Sequence, residues 1–505
     1  MNRVGVIDIG ANSVKFMLTE VEEDGYFRII DELTSSVRLC YDLIDNNEIS
    51  TERIDETIMT LKNFKSLGSI SGATEIIGVA TDTLRFATNK DILIKRIKDE
   101  LDIDVLVLSN EEEIYYNYLG IKNSIYFENV LLVDIGGSST HLAWIVDDNI
   151  KESVTLPVGA VNITYKFNLN DRILRKDLEN TFNYIDDYIS KHRWIKEANF
   201  ESIIIVGGTA RSIAKINRRR TRYPLEINHL YNMNDIDISD VFNLVKSKDL
   251  KLRRKIEGLS YERSDIIVGG VSIIQRIIDY IGTQDIIVSG RGLREGIMYE
   301  YINAHFKPIN DILDFSINGI LENLNINQEH AKHVYWITSE IFEALKPLHN
   351  LSNKYDHIIK TAAMLHDCGI NIDYYNHHRH TFYIILNSYI NGLNHKELLM
   401  SAAIAASHRN NSYHLPLPQF CSILNRLDMK IIDEVGVILR IAEGLDRSLE
   451  GAVQKISVDI TDENVIIGVS SNLDLDFEIK QALRARCKFK TVYDKTLIIE
   501  KRDEI

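Results

Sequence analysis

The stretch that decides the fold is VLLVDIGGSSTHLAW, residues 130–144. Its apolar run predicts a buried strand that ends near Asp134, followed by a tight turn of small residues and a second strand. Because small residues leave the backbone uncrowded, successive N–H groups of such a turn can point into one concavity and hold an anion. Asp134 is the first candidate ligand for a divalent cation, since Mg²⁺ prefers carboxylate oxygens together with substrate oxygens.

The same pattern occurs earlier, in VGVIDIGANSVKFM, residues 4–17. Its aspartate, Asp8, stands about 126 positions before Asp134, and this recurrence predicts duplicated half-structures. The two turns would face each other across a cleft as paired phosphate clamps, with Asp8 as the second metal ligand. The alternative for each aspartate is a turn-capping role. The candidate phosphate-binding residues are Gly10, Asn12, Ser13, Gly136, Gly137, Ser138, Ser139 and Thr140.

Length and charge limit the class of protein. A chain of 505 residues is long enough for three or four domains. The formal net charge of −15 gives no global nucleic-acid footprint, so a polyanionic substrate would need a local basic lining. Basic runs that could supply it lie at residues 218–222, 251–255 and 484–490.

The sequence also predicts a cytoplasmic protein without a membrane segment. No apolar run approaches the roughly 18 residues of a membrane helix, and a first strand at Val4 leaves no room for a signal peptide. The four cysteines are scattered without a CxxC motif, which is typical of reduced thiols in the cytosol.

Secondary-structure patterns divide the chain into four segments. Residues 1–125 and 126–305 both alternate strands with helices, which indicates α/β layers. Residues 306–450 show helical patterns rich in alanine, leucine and histidine, and residues 451–505 return to β-like runs around a basic helix. The predicted fold class is therefore α/β in the N-terminal half, followed by an all-α domain and a small α+β C-terminal domain.

Seven motifs occur in a characteristic order. They are VGVIDIGANSVKFML, ATDTLRFATN, SNEEEIYYNYLG, VLLVDIGGSSTHLAW, VGGTA, GLSYERSD and SGRGLREG. In this order the chain resembles the exopolyphosphatase / guanosine pentaphosphate phosphatase family, and the third and fourth segments resemble the long members of that family. The resemblance implies an actin-like ATPase fold, made of two ribonuclease-H-like halves (1–125 and 126–305) with the active site between them. It also implies Mg²⁺ dependence and a homodimer.

The resemblance assigns further catalytic roles. Hydrolysis of a phosphoanhydride needs a base above the terminal phosphate, and Glu111, Glu112 and Glu113 are the candidates. The family motif matches Glu113 to the base. Arg85 matches a family arginine near the phosphate, where a guanidinium suits bidentate contact. Gly208 and Thr209 match a turn that helps to close the cleft, and both are further candidate phosphate-binding residues.

One residue departs from the family pattern. The second turn of the family ends with a glutamate after the Ser-Thr pair, and here that position is His141. The resemblance assigns that glutamate to the metal or the attacking water, so we expect this change to alter the metal shell and the rate. A histidine could instead contact phosphate or metal, with a pH dependence near its usual pKa of about 6.5.

The helical segment contains a pattern that resembles HD phosphohydrolases, and we expect residues 306–450 to form an HD-like domain. An adjacent His-Asp pair after an apolar helix can supply an imidazole and a bridging carboxylate to a divalent metal pair. The candidate ligands of a second divalent metal site are His330, His366, Asp367, His380, His408 and Glu443, with Asp446 as an alternative to Glu443. The competing interpretation is a set of buried, hydrogen-bonded histidines without metal.

These observations predict a phosphoanhydride hydrolase. The leading hypothesis is an exopolyphosphatase that removes terminal phosphate from inorganic polyphosphate processively with Mg²⁺. Hydrolysis of guanosine pentaphosphate in the same cleft is the alternative, because both substrates present a terminal anhydride phosphate. A catalytically weak polyphosphate- or nucleotide-sensing protein is the alternative from another class. Nucleic acid and membranes are not expected partners.

Overall fold

The structure is a computed structural model that describes residues 2–43, 47–409 and 417–502. The chain forms two compact units, Met1–Ile309 and Asn310–Ile505. The predicted division into four domains is finer than these two units and stays a prediction. No helix within the described residues is both long and apolar enough to cross a bilayer.

Two mixed sheets form the framework of the first unit. Its strands are β1 (Asn2–Ile9), β2 (Val14–Val21), β3 (Phe27–Ser35), β4 (Glu75–Ala80), β5 (Val105–Val107), β6 (Asn129–Ile135), β7 (Thr140–Val146), β8 (Asn149–Leu156), β9 (Ser202–Val206), β10 (Tyr231–Met233) and β11 (Ile286–Val288). The first sheet has the order β3-β2-β1-β4-β5, and the second has the order β10-β11-β9-β6-β7-β8. From its other edge, the second sheet repeats the order of the first and adds β10.

The direction of the strands repeats as well. The strand β1 pairs antiparallel with β2 and parallel with β4, while β6 pairs antiparallel with β7 and parallel with β9. Asp8 and Asp134 therefore occupy equivalent positions near the ends of the two central strands. Their cross-strand neighbours are Lys15 and His141. This repeated topology bears out the predicted duplication and the actin-like α/β architecture.

Helices cover both sheets. They are α1 (Thr51–Ile70), α2 (Asp82–Phe86), α3 (Lys90–Leu101), α4 (Asn110–Lys122), α5 (Ala160–Lys166), α6 (Arg175–Ile189), α7 (Trp194–Glu197), α8 (Gly207–Thr221), α9 (Asp235–Lys246), α10 (Leu250–Arg253), α11 (Ile267–Ile281) and α12 (Leu293–His305). One apolar core packs β1 and β2 against α1 and α3, and a larger one packs β6 and β9 against α6, α8 and α11. The central strands β1 and β6 are apolar on both faces, and both faces are buried. The polar side chains of these strands lie near the strand ends.

The second unit is helical and ends in a small sheet. Its helices are α13 (Ile312–Asn323), α14 (Gln328–Ala344), α15 (Lys346–His349), α16 (Asp356–Met364), α17 (His377–Asn387), α18 (His395–Ala406), α19 (Leu417–Phe420), α20 (Arg426–Leu445), α21 (Asp476–Ala482) and α22 (Arg486–Tyr493). The strands β12 (Lys455–Ile460), β13 (Asn464–Ser470) and β14 (Thr496–Lys501) form a sheet in that order. The assignment of the helical part as an HD-like domain stays a prediction.

Candidate active site

The two aspartate-containing turns have the same local structure. In each, a glycine N–H donates to the carbonyl of the serine three residues later. The distance is 3.1 Å from Gly10 to Ser13 and 2.9 Å from Gly136 to Ser139. These two N–H groups are used inside their own turns, so other N–H groups of the turns would have to face a ligand.

The turns approach each other closely and share one cleft. A Cβ atom on Gly137 would lie 2.7 Å from Ala11 Cβ, so a residue with a side chain could not take its place without a shift. Asp8 and Asp134 consequently line the same cleft. The prediction that both aspartates open onto a shared crevice agrees with this geometry.

The two aspartates differ in their partners. Asp8 Oδ2 lies 3.3 Å from the ammonium group of Lys15. Asp134 Oδ2 accepts a hydrogen bond of 2.9 Å from the amide of Asn117. Desolvation raises the pKa of Asp134 to about 6, because nearby positive charge and the Asn117 amide offset it only in part. A bound cation would therefore stabilise the charged form of Asp134.

The three glutamates that the sequence left as candidate bases lie in the first turn of helix α4 and have different surroundings there. Glu112 forms a capping box with Ser109, in which each side chain bonds the backbone N–H of the other. Glu111 is exposed, whereas Glu113 is buried and lines the cleft. Of the three, Glu113 is the one in a position to meet a substrate.

Arg85 holds carboxylates in the structure. Its Nη2 lies 2.8 Å from Glu113 Oε2 and 2.5 Å from Asp82 Oδ1, and its Nη1 donates to the Leu108 carbonyl at 2.7 Å. The guanidinium fork is thus already engaged with the protein. This geometry favours a role in orienting Glu113 over the direct phosphate contact that the resemblance implies for Arg85.

Asp82 is a buried carboxylate that our sequence analysis did not single out, although it lies in the ATDTLRFATN motif. It accepts hydrogen bonds from Ser138 Oγ at 2.8 Å and from Ser139 Oγ at 2.7 Å. Burial opposes its charge, but His141, Arg85 and the serine hydroxyls outweigh this and lower the pKa of Asp82. The carboxylate therefore ties the second turn to helix α2.

Several predicted phosphate ligands turn their side chains to the protein. The hydroxyls of Ser138 and Ser139 bond Asp82, and Thr140 Oγ1 donates to the Val158 carbonyl at 2.5 Å. Thr209 is buried and packs so closely on helix α11 that a Cβ on Gly270 would lie 2.7 Å from its Cγ2. For these residues only the backbone N–H groups remain as predicted phosphate contacts.

His141 lies among carboxylates behind the second turn. Its Nε2 is 3.3 Å from Glu113 Oε2, and its Nδ1 is 2.9 Å from Thr155 Oγ1. Burial opposes a charged imidazole, but the carboxylates of Glu113, Asp82 and Asp134 raise the pKa of His141 above its usual value. The histidine thus adds positive charge beside the candidate base, where the family glutamate would add negative charge.

A wall of cations, which no single sequence motif predicts, also lines the cleft. Its members are Lys15, Arg211, Arg263 and Arg294. Burial lowers the pKa of Arg211, and the neighbouring charge of Arg294 lowers it further. Burial lowers the pKa of Arg263 to about 10. Lys15 and Arg294 are ion-paired with Asp8 and Glu32, whereas the charge of Arg211 also lowers the pKa of Arg263. An anion near Arg211 and Arg263 would relieve this repulsion.

Gly208 is in direct contact with Arg263, one of these cations. A Cβ atom at Gly208 would lie 1.8 Å from Arg263 Nη2, so the guanidinium rests directly on the glycine backbone. Gly208 therefore leaves room for the Arg263 guanidinium, and both residues line the cleft. The motifs VGGTA and GLSYERSD, which are far apart in the sequence, meet at this contact.

Two of the basic runs that could line a substrate path each contain one arginine with a structural role, while the path itself stays a prediction. The guanidinium of Arg218 donates to the Leu225 carbonyl and to Asn228. Arg253 is fully buried and donates to backbone carbonyls, among them those of Leu169 and Ser264. Residue type and charge alone do not distinguish these structural arginines from those in the cleft.

The ligands predicted for a second divalent metal site lie in the second unit. Within the described residues, the groups of donor atoms in this unit that lie within 4.8 Å of one another contain His330, His366, Asp367 and His408 together with His377, but neither His380 nor Glu443. His377, at the first position of helix α17, takes the place expected for His380, with its Nε2 atom 3.2 Å from Asp367 Oδ1. Glu443 is hydrogen-bonded to Arg447 one turn later, and Asp446 contacts His330 and His333. Metal binding by this cluster stays a prediction.

Models of one protein family match both units of the chain. A family model described as the Ppx/GppA phosphatase family matches residues 19–305, and a model described as Ppx/GppA phosphatase, domain III matches residues 312–488. The first matched range contains the second turn and Glu113. The second contains the histidine-rich helices.

Two curated relatives are similar in sequence. A bifunctional 3-dehydroquinate synthase/phosphatase of Fusobacterium nucleatum is 32% identical over 295 residues, which cover 56% of this chain but only 44% of that protein. A guanosine-5'-triphosphate,3'-diphosphate pyrophosphatase of Pseudoalteromonas atlantica is 26% identical over 388 residues, covering 75% of this chain and 74% of that protein.

Solved structures resemble the larger part of the chain. An exopolyphosphatase from Cytophaga hutchinsonii gives a TM-score of 0.57 at 24% identity, covering 60% of this chain and 98% of that one. This likeness shows the fold. A Ppx/GppA family member from Aquifex aeolicus gives a TM-score of 0.52 at 27% identity, covering 61% of this chain and 99% of that one.

Proposed function

The chain belongs to the Ppx/GppA phosphatase family, and we propose that it removes the terminal phosphate from inorganic polyphosphate. Its enzyme class is that of a phosphoanhydride hydrolase, as the sequence predicted. The observation that carries the substrate proposal is the cation wall, which faces the same cleft as Asp8, Asp134 and Glu113. A chain of phosphates has negative charge along its whole length and would complement that wall.

A divalent cation fits the carboxylates of the cleft. Asp134 is raised in pKa by desolvation, and a bound cation would favour its charged form. Asp134 and, more weakly, Asp8 would hold the ion, because Lys15 already neutralises Asp8. When bound, Mg²⁺ would supply charge neutralisation for the phosphate oxygens.

The side chains then have distinct parts in the reaction. Lys15, Arg211, Arg263 and Arg294 bind the phosphate oxygens. Glu113, held by Arg85 and His141, takes a proton from a water molecule. The oxygen of that water attacks the terminal phosphorus. The anhydride P–O bond breaks, orthophosphate forms, and the shortened chain leaves as an anion. Processive hydrolysis follows if the cation wall retains the shortened chain.

Guanosine pentaphosphate is the second candidate substrate. The relative from Pseudoalteromonas atlantica is named for a guanosine substrate and covers three quarters of this chain. Both substrates present a terminal anhydride phosphate, so the same clamps would serve either one.

Phosphate release from long-chain polyphosphate and from guanosine pentaphosphate, each with and without Mg²⁺, tests the proposal. We expect Mg²⁺-dependent release with a higher kcat/KM for polyphosphate, and residual chains that stay long while orthophosphate accumulates. A higher kcat/KM for guanosine pentaphosphate would replace the substrate assignment. Binding of both without turnover would favour the sensing alternative.

A further inference from the structure

Asn117 is a buried polar side chain at the wall of the cleft. It lies on helix α4 one turn after Glu113, is 2% exposed and lines the cleft together with Glu113 and Asp134. Buried amide groups are hydrogen-bonded as a rule, so the partners of this amide indicate its role.

The amide nitrogen of Asn117 joins the candidate base to the candidate metal ligand. Nδ2 donates to the main-chain carbonyl of Glu113 at 3.1 Å and to Asp134 Oδ2 at 2.9 Å. An amide nitrogen carries two N–H groups, so both bonds form at once, and because a carbonyl oxygen only accepts, these partners orient the amide. Asn117 thus ties the turn that carries Glu113 to the end of strand β6.

These contacts hold the carboxylate of Asp134 in one orientation. Its Oδ2 is bonded to Asn117, whereas its Oδ1 lies beside Gly207, where a Cβ atom would be only 2.8 Å away. Gly207 begins helix α8 with a φ of 89°, a conformation that favours glycine. The carboxylate therefore lies between the amide and the glycine, and Oδ1 is the oxygen that would meet a cation.

The partner of Asp134 is neutral, unlike that of the equivalent aspartate. Asp8 lies 3.3 Å from the ammonium group of Lys15, which cancels its charge. An amide orients a carboxylate without adding positive charge, so a cation bound at Asp134 would not be repelled by the group that holds the ligand. This difference suits Asp134 to metal binding.

Close packing restrains the other side of the amide. A Cβ atom on Gly292 would lie 3.2 Å from Asn117 Oδ1, and one on Gly120 would lie 2.5 Å from the Gly292 carbonyl. Helix α4 is therefore in direct contact with the start of helix α12, which carries Arg294 of the cation wall. Asn117 lies where the base, the metal ligand and this helix meet.

We propose that Asn117 is a positioning residue that couples the cation site to the candidate base. It holds Asp134 in the orientation that binds the cation, and it fixes that carboxylate relative to the helical turn that carries Glu113. The role rests on the proposed function, in which Asp134 holds the cation and Glu113 activates water. Outer partners of this kind contribute about 10–100-fold to metal affinity or activity.

Asn117→Ser separates the two hydrogen bonds of the amide. A serine in this helix can still donate to the carbonyl four residues earlier, as Ser124 Oγ does to Gly120 at 2.6 Å. Its shorter side chain would not reach Asp134. Asn123→Ser is the matched control, because Asn123, at the C-terminal end of the same helix, also donates to the carbonyl four residues earlier, that of Leu119 at 3.0 Å.

Mn²⁺ binding to the full chain without substrate is the first measurement, because it needs no turnover. The cleft site is the binding that Asp134→Asn weakens. We expect Asn117→Ser to weaken that binding by about tenfold, the lower end of the effect of an outer partner, and Asn123→Ser to leave it unchanged. In the Asp134→Asn background, Asn117→Ser should add little.

Two results would overturn the positioning role. One is a wild type without Asp134-dependent Mn²⁺ binding, and the other is unchanged affinity of that site in Asn117→Ser. Asn117→Gln, which keeps the amide but displaces it on a longer arm, should also weaken the binding and gives the answer if the serine variant does not fold.

Phosphate release from polyphosphate distinguishes this role from the proposed function. At a Mg²⁺ concentration that half-saturates the wild type, Asn117→Ser should be slower, and excess Mg²⁺ should restore its rate because the defect lies in cation binding. A loss of rate that excess Mg²⁺ leaves unchanged would overturn the coupling through Asp134. A wild type that releases no phosphate, combined with weakened Mn²⁺ binding in Asn117→Ser, would refute the proposed function and support the positioning of Asp134.

Discussion

The two halves of the cleft repeat one backbone pattern with different side chains. Asp8 and Asp134 stand at equivalent strand positions, and each turn closes with the same glycine-to-serine hydrogen bond. The residue opposite Asp8 is Lys15, whereas the residue opposite Asp134 is the buried His141. The duplicated backbone thus carries different cross-strand neighbours, and under our proposal Lys15 contributes to phosphate binding while Asp134 is the stronger metal ligand.

The largest expected effect comes from Glu113, which lies beside the second half. Glu113→Gln keeps the shape but removes the proton acceptor, so we expect kcat to fall by about 10²–10⁴-fold with little change in KM. Steady-state phosphate release measures this. Glu112→Gln is the matched control, because glutamine also completes the capping box. Equal losses in both variants would point to helix stability instead of catalysis.

Replacing Asp8 and Asp134 one at a time tests whether the two halves of the cleft hold the cation differently. We expect Asp134→Asn to weaken apparent Mg²⁺ affinity by about 10–100-fold, the size of a lost interaction with a charged group. Asp8→Asn should have a smaller effect, because Lys15 already neutralises Asp8. Mg²⁺ titrations of activity measure both constants. Equal shifts would mean that both halves hold the ion alike.

The pH dependence of the apparent Mg²⁺ affinity should also depend on Asp134 and not on Asp8. Desolvation raises the pKa of Asp134 to about 6, so its neutral form predominates below that pH and its carboxylate above it. A proton therefore competes with the cation, and apparent Mg²⁺ affinity should fall by about tenfold per pH unit below pH 6. Mg²⁺ titrations between pH 5 and pH 8 test this. The dependence should persist in Asp8→Asn and disappear in Asp134→Asn.

A smaller effect is expected where helix α8 meets the cation wall. Gly208→Ala would push the Arg263 guanidinium aside, because the new methyl group would occupy its place. We expect KM for polyphosphate to rise by about tenfold, the cost of one weakened charged contact, with kcat less affected. The same change in an Arg263→Ala background should add little. A full additional effect there would show that Gly208 acts independently of Arg263.

The repeated strand–aspartate–turn pattern was sufficient to predict the α/β halves and their shared cleft. A short apolar run followed by a turn of small residues favours a buried strand, and two copies favour one duplicated topology. Glu113 was identified by resemblance, since its two neighbours have the same charge. Burial then separated them, because the capping box directs Glu112 to the backbone and leaves Glu113 facing the cleft.

The cation wall could not be predicted from the sequence. Arg211 follows the motif VGGTA, Arg263 lies in GLSYERSD and Arg294 lies in SGRGLREG, and no spacing rule relates them. The basic runs that charge alone favoured contain Arg218 and Arg253, which bond backbone carbonyls. Whether a guanidinium serves the fold or a ligand depends on what surrounds it, and packing decides that.

The sequence by itself determined the local structures: strands from apolar runs and turns from small residues. These depend on neighbours in the chain, so they can be read from the chain. Only the tertiary structure decided which side chains meet: Arg263 on Gly208, His141 beside Glu113, and His377 in place of His380 around Asp367. Such contacts join residues far apart in sequence, and the direction of each side chain is set by packing.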